Sequence, residues 1–256
     1  MNRSFKFSYL IVIYLFLYIP IGTLILYSFN NATFSMLWRG FTLDWYKQVL
    51  QDGNLWIAVW HSFYLALTAT ISALLIGTLA AISLYRYQFR GKNILQGLLF
   101  ILIISPDIVL GIALLILFSL NGLALGYWSL YIAHVTFCIP FVVVIVYGRA
   151  KGIDPNIFAA ASDLGASELQ IFTRVVVPIL LPAILSGALL SFALSFDDIV
   201  ISYFVAGPGF EILPIKIFAL ARLGVNGKLN ALCSLLFALT LVLVCVSQWI
   251  VQRRKL

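Results

Sequence analysis

Charged residues are scarce in this sequence. Asp, Glu, Lys and Arg make up 10% of its 256 residues, whereas hydrophobic residues make up 63%. A soluble globular domain has about 25% charged residues. The scarcity therefore excludes water as the main solvent of the chain and predicts an integral membrane protein. Long apolar runs recur from near one terminus to near the other and leave no length for a separate soluble domain.

Cysteine is rare as well. Cys138, Cys233 and Cys245 all lie in apolar runs, without the short spacing that is typical of metal ligands. Thiols in such surroundings behave as small hydrophobic groups. We expect neither a disulfide framework nor a metal site.

Several catalytic motifs are missing. The sequence contains no Gly-x-x-x-x-Gly-Lys-[Ser/Thr], no His-Glu-x-x-His and no Gly-x-Ser-x-Gly, so we expect no ATP hydrolysis by this chain itself and no enzyme activity. The net charge is +7, but the basic residues lie beside apolar runs and form no stripe with interleaved polar side chains. Nucleic acid is therefore not an expected partner.

The apolar runs predict an all-α, polytopic membrane protein with about six transmembrane helices, each near the ~20 residues that a bilayer requires. The predicted spans are 9–29, 61–85, 94–119, 128–147, 179–204 and 231–250. The first run is too long for a signal-peptide core and lacks a small-residue cleavage site, so we expect it to stay as an uncleaved helix.

Basic residues orient the predicted spans. With both termini inside, the inner segments hold 11 of the 16 basic residues and the outer segments hold 5, which favours an N-in, C-in topology. We divide the chain into an N-terminal helix with its outer segment (1–58), a transmembrane domain (59–250) and a basic inner tail (251–256). The outer segments at about 30–60, with a predicted interfacial helix, and 205–230 either meet an extracytoplasmic partner or serve as connections.

The inner segment 148–178 is longer than a hairpin between spans requires. Asp154 is placed to cap a helix, and Pro155 fits the first helical position, where its missing N–H costs nothing. The helix is predicted over 156–164, and Gly165 ends it in the left-handed conformation.

A second helix is predicted to begin after Ser167, to run from Glu168 to about Val176 and to end at Pro178. The first helix carries three consecutive small residues, Ala159, Ala160 and Ala161. A short capped helix with a small-residue face suits docking into a cleft of a partner protein. The alternative is a helix that lies on the lipid headgroups, and physical reasoning leaves both open.

The run Ala-Ala-Ala-Ser-Asp-Leu-Gly (159–165), followed by Val-Val-Val-Pro (175–178), resembles the EAA loop of ABC importer permeases. The family pattern is Glu-Ala-Ala, three residues, Gly, nine residues and an Ile-x-Leu-Pro-like ending, and the Gly-to-Pro spacing matches. The resemblance implies a type I ABC importer permease fold and a loop that inserts into a cytoplasmic ATPase, and the inner segment 148–178 is called the coupling loop from here on. It assigns this coupling role to Ala159, Ala160, Ala161, Asp163, Gly165 and Pro178. The family's Glu is Ala159 here, which removes the side chain for any salt bridge from that position.

Further runs are similar to the C-type permease subunits of spermidine/putrescine importers. These runs are 17–21, 40–42, 84–87, 105–109 and 195–200. The similarity covers about residues 10 to 250. It implies a homologous second permease subunit, two cytoplasmic ATPases that bind ATP and Mg, an extracytoplasmic polyamine-binding protein and a location in the bacterial inner membrane. No cofactor of this chain's own is implied.

Three carboxylates fall within predicted spans. Asp107 follows Pro106 in the middle of the third span, where a charge costs roughly 2.5–3.5 kcal/mol. It therefore either faces the substrate pathway or is satisfied by a neighbouring helix, for example with the hydroxyl of Ser105. Asp197 and Asp198 lie within the fifth span and point about 100° apart if helical. One of them would line the pathway, while the other would cap a helix break or meet a polar group of a neighbour.

The predicted spans three to five contain no Lys or Arg, so a cationic substrate would complement these acids. Phe196 and Tyr203, like Trp128, are placed to add cation–π contacts, although packing is the commoner role of such rings. His134 is expected to be a hydrogen-bonded packing residue and Glu211 a solvated loop charge. The alternatives to a polyamine importer are the same class with another solute, a stand-alone secondary transporter, or a scaffold.

Overall fold

A computed structural model of the chain describes residues 3–32, 37–154 and 156–253, and within these ranges it describes the side chains of Phe7 and of residues 9–242. Pro155 and the last three residues of the predicted basic tail lie outside the described residues, as does the side chain of Cys245.

Within the described residues the secondary structure is helical, apart from one isolated bridge between Asn30 and Phe41. The helices are α1 (Arg3–Tyr27), α2 (Asp44–Gln51), α3 (Gly53–Arg86), α4 (Lys92–Ile104), α5 (Asp107–Leu120), α6 (Tyr127–Ala150), α7 (Asn156–Asp163), α8 (Glu168–Ile171), α9 (Val177–Asp197), α10 (Val200–Val205), α11 (Leu213–Arg222) and α12 (Gly227–Arg253). A π-helical turn, Phe172–Val176, joins α8 to α9.

The predicted spans correspond to long apolar helices. By length and composition, α1, α3, α6 and the helical run Glu168–Asp197 are able to cross a membrane, and α4 with α5 forms a fifth, bent candidate. The predicted sixth span falls on α12, which is 27 residues long and apolar over Gly227–Val242. The predicted interfacial helix before the second span is α2.

The third predicted span is not one straight helix. Its two halves, α4 and α5, meet at an angle of 111°. Pro106 has no N–H for the helix ladder and disfavours the helical conformation of the residue before it. Ser105 is accordingly extended, with φ −61° and ψ 136°. Asp107 therefore lies in the first turn of α5 and not in the middle of a helix.

The predicted end of the second inner helix at Pro178 is also wrong. Helical structure continues from Glu168 through Pro178 to Asp197. The π-helical turn precedes the proline, and Val177 N–H bonds to Phe172 O, five residues back. This wider turn accommodates a residue that has no N–H and whose ring would otherwise clash with the preceding turn.

The chain forms two compact units. One consists of the residues up to Ile57 together with those from Lys216 onward, and the other is Ala58–Ile215. The second unit contains all the predicted site residues. The predicted division at residues 58 and 250 stays a prediction.

In the second unit, α6 is the central helix and packs along α9, with α4, α5 and α10 also against it. Small residues recur every four positions along α3, where Ala69, Ala73 and Ala81 are fully buried, and Gly77 of this series lies against α6. A Cβ on Gly77 would lie 2.7 Å from Val142 Cγ1. Small residues four apart are a known signal of close helix contact in membranes, and this spacing was readable in the sequence.

In the first unit, α12 packs against α1 and α2. Lys228 Nζ at the start of α12 lies 2.6 Å from Asp52 Oδ2, and each side chain is about three-quarters covered. Trp45 Nε1 donates to Asn30 O at 2.9 Å. The hydrogen bond from Lys228 is the main cause that holds the pKa of Asp52 below its usual value.

The free energy of unfolding is therefore expected to depend on pH through the Asp52 carboxylate. A lowered folded-state pKa contributes stability that is complete above the unfolded pKa of about 3.9 and is lost as the pH falls through the folded pKa. Asp52→Asn should lower the unfolding temperature in detergent at pH 6 and flatten its decline below pH ~4. Asp44→Asn is the matched control, because the Asp44–Lys47 pair is mostly exposed and such pairs contribute little. Equal behaviour of the two variants would contradict the assignment.

Candidate functional site

The fifth predicted span is broken at Asp198. Helix α9 ends at Asp197, and Asp198 is extended with φ −66° and ψ 123°. Its carboxylate accepts hydrogen bonds from Ile201 N at 3.2 Å, Ser202 N at 2.8 Å and Ser202 Oγ at 2.7 Å. Asp198 therefore caps α10, and its side chain is buried.

A buried polar network fixes this break. His134 of α6 contacts Ser195 Oγ through Nδ1 at 2.7 Å and Ser202 Oγ through Nε2 at 2.9 Å. Because the Ser202 hydroxyl donates to Asp198, it accepts from His134 Nε2–H. The expectation of a hydrogen-bonded packing histidine is confirmed. Asp198 is the member of the acidic pair that caps a helix break and meets a polar neighbour.

The two remaining carboxylates are exposed on the surface of this chain. Asp197 is the last residue of α9, and Asp107 is the first residue of α5. The hydroxyl of Ser105 donates to Ile101 O at 2.7 Å, which is its own helix and not the Asp107 carboxylate. An acidic group in the first turn of a helix is favoured by the helix dipole.

The aromatic candidates differ in their surroundings. Phe196 is half-buried and stacks on Phe192, with ring centroids 5.8 Å apart. Tyr203 is about half exposed and meets Phe204 edge-on. Cation–π roles for both rings stay predictions.

Helices α5 and α10 pack against each other and run parallel. The loop after α5 folds back on it, because Leu123 N donates to Phe118 O at 2.9 Å. Leu125 follows Leu123 by two residues, so the Cα atoms of these two leucines are at most about 7 Å apart. A Cβ on Gly207, just beyond the end of α10, would meet Leu125 O at 2.0 Å. The two helices therefore end at the same side and begin at the same side.

Both helix breaks consequently place an acid at the same end of this pair. The close contact between the helices is at Gly111, where a Cβ would lie 3.3 Å from Ile201 Cα. Asp107 and Asp197 each precede that contact by four residues. The geometry thus groups Asp107 with the Asp197–Asp198 break, although these residues are about 90 positions apart in the sequence.

The first helix of the coupling loop has the predicted ends. Asp154 Oδ1 accepts from Asn156 N at 2.9 Å. At the other end Gly165 has φ +78°, Gly165 N donates to Ser162 O at 2.9 Å and Ala166 N donates to Ala161 O at 3.1 Å. These two bonds form the Schellman motif, which satisfies the last carbonyls of α7.

The start of α8 is also as predicted. Ser167 and Gln170 form a reciprocal capping box, with Ser167 N donating to Gln170 Oε1 at 2.8 Å. Between the two caps the chain makes a tight turn, so α7 and α8 form a compact two-helix segment.

The predicted docking residues are accessible. Ala159, Ala160 and Asp163 are exposed and Ala161 is half-buried, while Pro178 is exposed further along. Two large apolar side chains that sequence reasoning did not select, Leu164 and Leu169, are 88% and 70% exposed. Their apolar character next to the alanine run was a readable signal of a docking surface. Among the described residues, no group of three or more His, Cys, Asp or Glu is arranged to hold a metal ion.

Comparison with known proteins identifies relatives over the whole chain. The spermidine/putrescine transport system permease protein PotC of Escherichia coli is 47% identical over 251 residues, which cover 98% of this chain and 95% of the relative. The PotC protein of Haemophilus influenzae is 45% identical over the full length of both chains. The putrescine transport system permease protein PotI of Escherichia coli is 37% identical, covering 94% of this chain and 88% of the relative.

Solved structures share the fold. A bacterial ABC transporter involved in the import of the acidic polysaccharide alginate matches with a TM-score of 0.75 at 16% identity, covering 97% of this chain and 98% of that one. The MetNI methionine ABC transporter matches with a TM-score of 0.63 at 17% identity, covering 79% and 96%. The family model described as "Binding-protein-dependent transport system inner membrane component" matches residues 73–255. The chain therefore belongs to this family and is a multi-pass permease component of the inner membrane.

Proposed function

We propose that this chain is one of two membrane-spanning subunits of an ATP-driven importer that moves linear polyamines, spermidine or putrescine, into the cytoplasm by alternating access. The observation that carries the proposal is the 45–47% identity, over 98–100% of the chain, to spermidine/putrescine permeases. The shared fold does not select the solute, since solved transporters of this fold act on alginate and methionine. Specificity must come from side chains.

The charge pattern supports a cationic substrate. Asp107 and Asp197 are exposed at the same end of the α5–α10 pair, and the predicted spans three to five contain no Lys or Arg. Carboxylates within membrane segments typically face an aqueous path or a partner. A linear polyamine carries separated ammonium groups, and each is able to make a charge-assisted hydrogen bond to a carboxylate. We assign Asp107 and Asp197 to this path and a capping role to Asp198.

The coupling loop supports an ATPase partner. The rigid, doubly capped segment at 154–170 presents Ala159, Ala160 and the flanking Leu164 to a partner surface. In the proposed assembly, two cytoplasmic ATPase subunits bind ATP and Mg, one of them receives α7, and a homologous permease completes the path. An extracytoplasmic binding protein delivers the polyamine. Closure of the ATPases would then displace α7 as a rigid body.

Reconstitution tests the proposal. The chain is purified with its own second permease and ATPases, placed in liposomes and supplied with its binding protein and labelled spermidine or putrescine. We expect accumulation that requires ATP and ceases when the ATPases are inactivated. Uptake by this chain without an ATPase would instead indicate a secondary transporter. ATP-driven uptake of a sugar or an anion, with no competition by polyamines, would indicate a different solute.

A further inference from the structure

The inner end of α3 is attached to the coupling loop by a two-pronged ion pair. Arg86, in the last turn of α3, places Nη1 2.5 Å from Glu168 Oε2 and Nη2 2.6 Å from Glu168 Oε1. Such a fork-to-carboxylate arrangement fixes the orientation as well as the distance of the two groups. Glu168 is the first residue of α8, and it is 82 positions away in the sequence. This pair ties α3 to the segment that follows the Gly165 turn.

The same guanidinium group contacts α7, on the other side of that turn. Arg86 Cζ lies 5.1 Å from the centre of the Phe158 ring and 5.5 Å from the centre of the Tyr87 ring. These distances are within the range of cation–π attraction. One side chain of α3 therefore holds both short helices of the coupling loop, α7 through Phe158 and α8 through Glu168.

A neighbouring side chain holds the entry to α7. Tyr85 Oη donates to Ile153 O at 2.7 Å, and its ring centre lies 6.2 Å from that of Phe158. Ile153 is buried, so this bond is anchored in the core of the unit. The end of α3 thus meets the loop before, within and after α7.

Stability does not explain this arrangement. The Arg86 side chain is 23% exposed, but that of Glu168 is 68% exposed, and ion pairs with an exposed partner contribute little to the free energy of unfolding. The contact therefore acts mainly by positioning the loop. Helix α8 continues through the π-helical turn into α9, so the Gly165 turn links α7 to that membrane helix, and the Arg86 contact adds a second link, to α3.

We propose that Arg86, with Phe158 and Glu168, forms a latch that transmits displacement of α7 to α3, which makes Arg86 a positioning residue for the coupling of ATP hydrolysis to transport. The inference rests on the proposed function, in which α7 docks on an ATPase. It adds that α3 moves with the loop. The planar fork and the stacked ring require arginine, since lysine supplies the charge without that geometry.

The test compares transport per ATP hydrolysed in the reconstituted transporter. Arg86→Gln and Glu168→Gln should each lower this ratio by roughly fivefold, the low end of typical coupling between sites, while ATP hydrolysis stimulated by the binding protein continues. Arg86→Lys should fall between wild type and Arg86→Gln. The exchanged pair Arg86→Glu with Glu168→Arg should recover part of the ratio. Arg90→Gln, an exposed charge in the same inner segment, is the control and should leave it unchanged.

Hydrogen–deuterium exchange of the coupling loop gives a readout that needs no substrate. Amides of α7 should exchange faster in Arg86→Gln than in wild type or Arg90→Gln. Exchange of α7 in Arg86→Gln at the wild-type rate would overturn the latch. So would an unchanged amount of transport per ATP hydrolysed, with transport and ATP hydrolysis both reduced only in proportion to the amount of assembled complex. A wild-type assembly that fails to move polyamine would refute the proposed function alone.

Discussion

Replacing Asp107 and Asp197 together by asparagine is expected to lower ATP-driven polyamine uptake by about tenfold or more. One charge-assisted hydrogen bond contributes ~1.5 kcal/mol, and 1.4 kcal/mol corresponds to a factor of ten. Both carboxylates are exposed and lie at the same end of the α5–α10 pair, so each is placed to meet an ammonium group of a linear substrate. Asparagine keeps the shape and removes the charge. Initial uptake rates of labelled spermidine, with assembled complex quantified, measure the effect.

Three comparisons make this result specific. Asp107→Glu keeps the charge and should retain more uptake than Asp107→Asn. Asp44→Asn removes an exposed carboxylate of the outer segment and should leave uptake near the wild-type rate. Raised spermidine concentration should partly restore the double variant, because the lost interaction is with the substrate. Undiminished uptake in the double variant would remove the charge argument and leave only the family assignment.

Asp198 is not included in the double variant of Asp107 and Asp197, because its carboxylate has a structural role. It accepts three hydrogen bonds from the first turn of α10 and lies 3.7 Å from His134 Nε2. Its replacement would disturb the buried network with Ser195 and Ser202. Loss of uptake in that variant would therefore not distinguish a substrate contact from damage to the helix break.

Three proline residues show how much of this fold can be predicted from the sequence. Pro106 coincides with a 111° bend, Pro178 is accommodated after a π-helical turn, and Pro140 lies inside the continuous helix α6. Each residue removes the same N–H, but the outcome depends on whether neighbouring helices and local turns compensate. The apolar runs therefore locate the spans, whereas the bend in one and the continuation of another depend on tertiary packing.

The candidate site likewise contains features that can be predicted from the sequence and features that depend on tertiary packing. The ends of α7 and the start of α8 were predictable, because Asp154, Gly165 and Ser167 act through bonds to residues a few positions away. The pairing of His134 with Ser202 spans 68 positions and that of Arg86 with Glu168 spans 82. No local pattern encodes such pairs, since they arise only when helices distant in sequence are packed together. Local chemistry identified the loop, and only the tertiary structure identified what holds it.

The other large effect is expected at Gly165. Its φ of +78° is a conformation that L-residues with a Cβ rarely adopt, and the cost is highest for β-branched side chains. A Cβ there would meet no atom within 4 Å, so the penalty of Gly165→Val is confined to the backbone. It should be about 2 kcal/mol, enough to open the Schellman turn. We expect transport per ATP hydrolysed to fall about tenfold, because α7 would no longer be held at a fixed angle to α8.

The same position supplies its own control. Asparagine tolerates the left-handed conformation, so Gly165→Asn should keep most of the coupling, and Gly165→Ala should lie between Asn and Val. That order follows from backbone conformation and not from side-chain volume, since alanine is smaller than asparagine. A series ordered by volume would mean that the partner surface at Gly165 is closely packed. Wild-type coupling in Gly165→Val would show that the angle of this turn carries no force from the ATPase to the membrane.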